Sequence, residues 1–237
     1  MTIKFFTILT SFLTAFTVYS QTVKTYIVDV GLFNELLVQN SIPVDYIESK
    51  DSVGIATFES IDSTAHSLAF INKKGKLTIT LEPRTYGRDH IIPRITVRSN
   101  SLVSATNYGD SLVRITKPST SLKFQAKIVG NGTLTVTGIE SKEVKGIISF
   151  GSGRLSLQGI CEKAQLDNTG QGVIQAGGLK SHSAICYLMG TGNIDCYATE
   201  EVSIKGMGSG TVYYGGNPKE VRNRGLHIKA ENCENCD

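Results

Sequence analysis

Between residues 99 and 228, apolar and polar positions keep a fixed register around a series of Gly-x-Gly turns. The turns are Gly130-Asn131-Gly132, Gly151-Ser152-Gly153, Gly170-Gln171-Gly172, Gly190-Thr191-Gly192 and Gly208-Ser209-Gly210, at intervals of 21, 19, 20 and 18 residues. Two residues past each second glycine stands an aliphatic: Leu134, Leu155, Ile174, Ile194 and Val212. Two further on come Val136, Leu157, Ala176, Cys196 and Tyr214, and then the small residues Gly138, Gly159, Gly178, Ala198 and Gly216. The positions between the two aliphatic columns, Thr135, Ser156, Gln175, Asp195 and Tyr213, are mostly polar. A period of two means a strand with one face inward, and a register held over successive copies means that the strands stack. Counting back four places from the first glycine of the next turn gives a second inward column, Ile147, Leu166, Cys186 and Ile204. Two residues earlier stand Lys145, Ala164, Ala184 and Val202, a less uniform set.

The pattern predicts an all-β protein with a parallel β-helix of about 20 residues per coil. Asn107-Tyr108-Gly109 reads as a degenerate earlier copy of the turn. Glycine is required where the chain turns between two flat faces without room for a Cβ, or with φ > 0. Leucine-rich repeats share the period but need an L-x-x-L-x-L pattern that is absent. Calcium-binding nonapeptide repeats need Asp after the glycines, where this chain has Thr133, Arg154, Val173, Asn193 and Thr211.

Residues 21–98 follow a different plan. Short β runs at 25–30, 35–39, 44–48, 54–59 and 76–82 are separated by turn residues such as Asn40-Ser41 and Lys74-Gly75, with Leu77, Ile79 and Leu81 on one face of the last. They form either antiparallel strands or the first irregular turns of the solenoid, capping the coils of residues 99–228. A short helix fits within residues 60–70. Residues 229–237 are a cysteine-containing tail.

The N-terminus places the chain outside the cytoplasm. Lys4, an apolar stretch from Phe5 to Val18 and the small residues before Gln21 have the plan of a signal peptide over residues 1–20. At that length the stretch is short for a membrane span. The formal charge of +3, with both signs interspersed, does not argue for nucleic acid. Five cysteines leave at least one unpaired within the chain. Cys186 and Cys196 occupy inward columns, as small core residues or as a bridge across the core. Cys233 and Cys236 suit a local disulfide or a frayed tail.

The Gly-Ser-Gly-x-aliphatic repeat and the closing run GSGTVYYGGNP at 208–218 resemble the family of putative auto-transporter adhesins with the head GIN domain. The resemblance spans roughly residues 30–228 and implies an exported, right-handed β-helical protein of a kind common in Bacteroidetes. Many members carry Asp after Gly-Ser-Gly; this chain never does, so no acidic ladder is carried over.

No catalytic cluster emerges from the residues. A β-helical polysaccharide-cleaving enzyme needs carboxylates converging on one outward face. Asp195 has Gln175 and Tyr213 as its coil neighbours, and Asp167 has Ile148 and Lys205. The four histidines show no metal-ligand spacing, and no cofactor motif is present. Two surfaces remain for binding. Tyr187, Tyr197 and Tyr213 offer aromatic faces for sugar rings. Arg84, Arg88 and Arg94, with Arg98 beyond, offer cations to an anionic partner. The resulting expectation is a non-enzymatic, adhesin-like module of the cell envelope that presents β faces to a glycan or a protein, at the periplasm, outer-membrane surface or beyond. A self-associating envelope scaffold is the alternative.

Overall fold

The computed structural model describes residues 23–82 and 91–233, so the expected leader, Arg84, Arg88 and Cys236 lie outside the described residues. The strands are β1 (Lys24–Asp29), β2 (Glu35–Gln39), β3 (Val44–Glu48), β4 (Ile55–Ser60), β5 (Leu68–Lys73), β6 (Lys76–Leu81) and β7 (Ile95–Ser99), with one helical turn, α1 (Asp62–Ala65), between β4 and β5. They continue as β8 (Ser104–Tyr108), β9 (Leu112–Thr116), β10 (Ser121–Val129), β11 (Thr133–Ser149), β12 (Arg154–Thr169), β13 (Val173–Ala176) and β14 (Leu179–Lys180). The last are β15 (Ser183–Gly190), β16 (Asn193–Tyr197), β17 (Glu201–Gly208), β18 (Thr211–Gly215), β19 (Glu220–Asn223) and β20 (Lys229–Asn232). Together they wind a β-solenoid of about six turns.

The solenoid has two broad sides and one narrow one. On the first, β6, β2, β8 and β10 are followed by the C-terminal halves of β11 and β12, then β15, β17 and β19, all parallel. On the second, β7, β3 and β9 are followed by the N-terminal halves of β11 and β12, then β13, β16, β18 and β20. The narrow third side is made where Ser121, Ser141 and Cys161 lie in register. A register shift between Val136 and Ile139 bends β11 from the second side onto the third.

Coiling extends beyond residues 99–228 in both directions. β2 and β3 already form a coil, and β20 pairs in parallel with β18 in the segment expected as a tail. The coil of β2 and β3 lies between that of β6 and β7 and that of β8 and β9, so spatial order departs from chain order. Antiparallel strands close this end: β1 pairs with β4, β4 with β7, and β5 with β6. Tyr26, Phe58 and Phe70 stack over the core, with centroid separations of 5.2 and 5.9 Å. Among the described residues before 99, β1, β4 and β5 pair antiparallel while β2 and β3 coil in parallel with their neighbours.

The inward columns stack in the predicted register with one correction. Leu134, Leu155, Ile174, Ile194 and Val212 are buried and in line. In the second column, however, the partner of Leu166 is Gly146, and Ile147 points outward beside Asp167. The cause is an extra residue in one turn. Phe150 takes the first-glycine place with φ 61°, and Gly151 follows it, so counting back from Gly151 lands one residue too late. Val144, not Lys145, then aligns with Ala164, Ala184 and Val202, and the column becomes uniformly apolar. The room left by Gly146 is filled by the side chains of Leu155, Leu157 and Leu166. The same offset replaces Ile148 by Ile147 as one neighbour of Asp167; the other is Tyr187, and the expected Lys205 lies one coil further on.

Two buried asparagines brace the turns from inside. Asn168, fully buried, donates from Nδ2 to the carbonyls of Gly172 (2.8 Å) and Asn193 (3.2 Å), tying its own coil to the next. Asn107 does the same to Ser111 and Thr133. Adjacent coils place Ile128, Ile148 and Leu188 in this column. Most buried polar groups in proteins are hydrogen-bonded, and here the Nδ2 partners are carbonyls at the corner that the next coil must meet.

On the second side, Asp45 holds two arginines. Its carboxylate accepts from Arg114 Nε (2.8 Å) and Nη2 (2.7 Å) and from Arg94 Nη1 (3.1 Å). The hydrogen-bonded Arg114 holds the carboxyl below its ordinary range. Because the folded value is the lower one, this stabilisation is present above the unfolded value of about 4 and fades as pH falls through the folded value. Asp45→Asn is expected to cost about 1 kcal/mol at pH 7, limited by the half-exposed arginines, with the difference from wild type shrinking below about pH 4. Urea unfolding at the two pH values measures it; an equal loss at both would mean that packing, not charge, carries the effect.

Candidate functional site

The third side of the solenoid carries an open trough of about 880 Å³. Three rows build it, because each coil contributes one inward residue between two outward ones. The floor is Ser121, Ser141, Cys161, Ser181 and Thr199. One wall is Thr120, Glu140, Ile160 and Lys180, the other Leu122, Lys142, Glu162 and His182. Small floor residues let the walls stand above them, which makes the side concave. With a coil rise near 4.8 Å, the five floor positions span about 19 Å along the axis.

The trough mixes exposed carbon with unpaired charge. Leu122 is 69% exposed and Ile160 58%, and Cys161 lies between the walls with its thiol pushed up to about 12 by burial, which makes it inert. Among the described residues, no ion pair involves Glu140, Lys142, Glu162, Lys180 or His182. On the broad sides some charges pair, as in Lys123–Glu143 at 3.0 Å, Lys145–Asp167 at 3.3 Å and Arg114–Asp45 at 2.7 Å. Lys180 sits over the Tyr197 ring at 4.0 Å from its centroid. Gly216 packs against the same ring, where a methyl group would come within 2.8 Å of Cζ.

The three tyrosines singled out in the sequence do not converge. Tyr187 faces outward from the first side, beside Asp167 and Lys205, and Tyr213 from the second, beside Asp195. Tyr197 alone reaches the trough, and its ring already meets Lys180. Arg94 is engaged by Asp45. Asp195 is pushed above its ordinary range by burial, with Arg154 pulling the other way, and Gln175 and Tyr213 flank it as expected. Asp167 lies on the other broad side, paired with Lys145. Among the described residues no group of three or more His, Cys, Asp or Glu could hold a metal ion.

The cysteines divide as core and terminus. Cys161, Cys186 and Cys196 are free and buried. Cys186 faces Cys196 across one coil, and their hydrogen bond together with burial pushes the Cys186 thiol well up. Cys233 is disulfide-bonded. Of the described residues, no helix is long and apolar enough to cross a membrane.

The trough rows were missed in the sequence because their wall residues share no chemistry from coil to coil. The floor did leave a signal: Ser121, Ser141, Cys161 and Ser181 recur at intervals of twenty.

The described residues thus form a β-solenoid with an open trough along its third side. The family model for "Putative auto-transporter adhesin, head GIN domain" matches residues 32–218, and the chain belongs to that family. Solved structures agree in fold. A putative adhesin from Bacteroides fragilis NCTC 9343 has TM-score 0.77 at 22% identity, over 90% of this chain and 98% of that one. A structure described as a putative lipid binding protein, from Parabacteroides distasonis ATCC 8503, has TM-score 0.70 at 19% identity, over 90% and 97%. A putative adhesin from Parabacteroides merdae ATCC 43184 has TM-score 0.66 at 18% identity, over 90% and 96%. No curated protein matches the chain. An adhesin family implies an exported, envelope-associated protein.

Proposed function

We propose that this chain is a non-enzymatic, adhesin-like binding module of the bacterial cell envelope, and that it takes an elongated ligand in the trough of its third side. The observation that carries the reading is the trough itself, a concave side on which charges of both signs stand without ion pairs around exposed carbon. A concave, mostly apolar surface with a few polar groups is what ligand sites share. The neighbours described as adhesins and as a lipid binding protein are consistent with a binder and leave the ligand open.

The test compares faces. Wild type, Ile160→Asp and Tyr213→Ala are immobilised and exposed to envelope lipid and glycan fractions. Ile160→Asp is expected to abolish retention and Tyr213→Ala to leave it within about twofold, since Ile160 is exposed and its change touches no core packing. Loss with Tyr213→Ala alone would return the site to the aromatic β face.

A further inference from the structure

Beyond its place in the fold, the trough has a length and a charge pattern that constrain its occupant. From the fourth coil back to the first is three steps, about 14 Å. A membrane acyl chain spans half of a hydrocarbon core about 30 Å thick, so about 15 Å. Along those steps lie Ile160, Cys161 and Leu122, with the aliphatic stems of Glu140 and Lys142 beside them. The floor is one small residue wide, so a chain lying along it has a wall on either side.

At the fourth coil the walls change character. Lys180 and His182 stand on opposite walls on either side of Ser181, and the Lys180 ammonium also donates to the Gly177 carbonyl at 3.4 Å. Glu162 stands on the His182 wall, one coil earlier, next in line along the trough. Neither Glu162 nor Lys180 is spent on an ion pair among the described residues. Tyr197 holds the Lys180 ammonium at this end by a cation–π contact, which fixes its place without neutralising it. Glu200, in the following coil, is already bound by Lys219 at 2.8 Å. A group with a phosphate for Lys180 and His182 and an amine for Glu162 completes the set, and an acyl chain trailing from it covers the apolar steps.

We infer that the trough binds a single-chain zwitterionic amphiphile of the lysophospholipid class, with its phosphate at Lys180 and His182, its ammonium at Glu162 and its chain along Ile160 and Leu122. This rests on the trough being the binding site, as proposed above. A fatty acid offers the chain without the amine, and a free head group offers the charges without the chain. Both are expected to bind more weakly, because each leaves part of the set unmatched.

Titration calorimetry of the protein with myristoyl-lysophosphatidylethanolamine, kept below its micelle threshold, tests it. Myristate and phosphoethanolamine serve as the incomplete ligands. Glu162→Gln is expected to weaken the lysophospholipid about tenfold and to leave myristate unchanged, and Lys180→Gln to weaken both about tenfold. Ile160→Asp is expected to abolish binding of either. All three side chains are exposed, so the variants fold as wild type does. Equal affinity for myristate and the lysophospholipid, or indifference of the latter to Glu162→Gln, overturns the zwitterionic head. If no amphiphile binds but envelope material is still retained in an Ile160→Asp-sensitive way, the ligand class falls and the trough stands. If both fail, the binding site itself falls.

Discussion

Gly192→Ala is expected to destabilise the protein by about 3–4 kcal/mol, the upper range for a single methyl group. Gly192 has an ordinary φ, so the effect is one of space. A Cβ there would be driven into the carbonyl oxygen of Gly172 in the coil before and would stand 2.6 Å from Nδ2 of Asn168. Neither neighbour can yield cheaply: the first is backbone that accepts the Asn193 N–H at 3.2 Å, and the second is the buried brace of the corner. Gly190, the first glycine of the same turn, has φ 129° and is required for conformation as well. Gly178→Ala is the control. Its added methyl would meet only the side chain of Gln158, which can move, and a loss of less than about 1 kcal/mol is expected. Urea midpoints followed by far-ultraviolet circular dichroism separate the two; equal losses would show that the turn glycines are not set by the coil-to-coil approach.

Asn168→Leu should cost about 2 kcal/mol although leucine belongs sterically in that column. Leu188 occupies the equivalent place one coil on, and Ile148 one coil back. The substitution therefore exchanges one well-fitting side chain for another and removes the bonds to Gly172 and Asn193, together with the bond that the Gly170 N–H makes to Oδ1 at 3.3 Å. The carbonyls keep backbone partners, which limits the loss. Asn107→Leu is expected to cost about 1 kcal/mol less, because Oδ1 of Asn107 is buried without a partner and its removal relieves that penalty. Thermal melts of the two variants order them. A smaller loss at Asn168 than at Asn107 would mean that packing, not the brace, governs this corner.

What could be read from the chain depended on whether a contact repeats. Leu134, Leu155, Ile174, Ile194 and Val212 recur at the coil period and face one interior, so their register was legible before any coordinates. The strands at 35–39 and 44–48 were legible for the same local reason, alternation within one segment. Their placement was not, since the coil they form lies between later ones and that choice is made by long-range packing. Phe150 was misleading for a different reason: a φ of 61° puts a bulky residue where the other coils have glycine, and the count was anchored one residue late. The trough was hidden because its walls alternate Glu140 with Ile160 and Lys180, side chains without a common property. Only their exposure on a shared bend makes them a set.

The difference between the two ends of the solenoid bears on how such proteins change over evolutionary time. In the C-terminal half each coil touches only the coils before and after it, and Val173 and Asn193 hold equivalent places. Excising or duplicating such a twenty-residue unit joins matching positions, so whole units can be lost or gained without disturbing the rest. Every unit also adds about 4.8 Å to the trough. Unit number then acts as a ruler, matching trough to ligand length by gene-level insertion, while the interleaved N-terminal coil, which no such event can copy intact, stays constant.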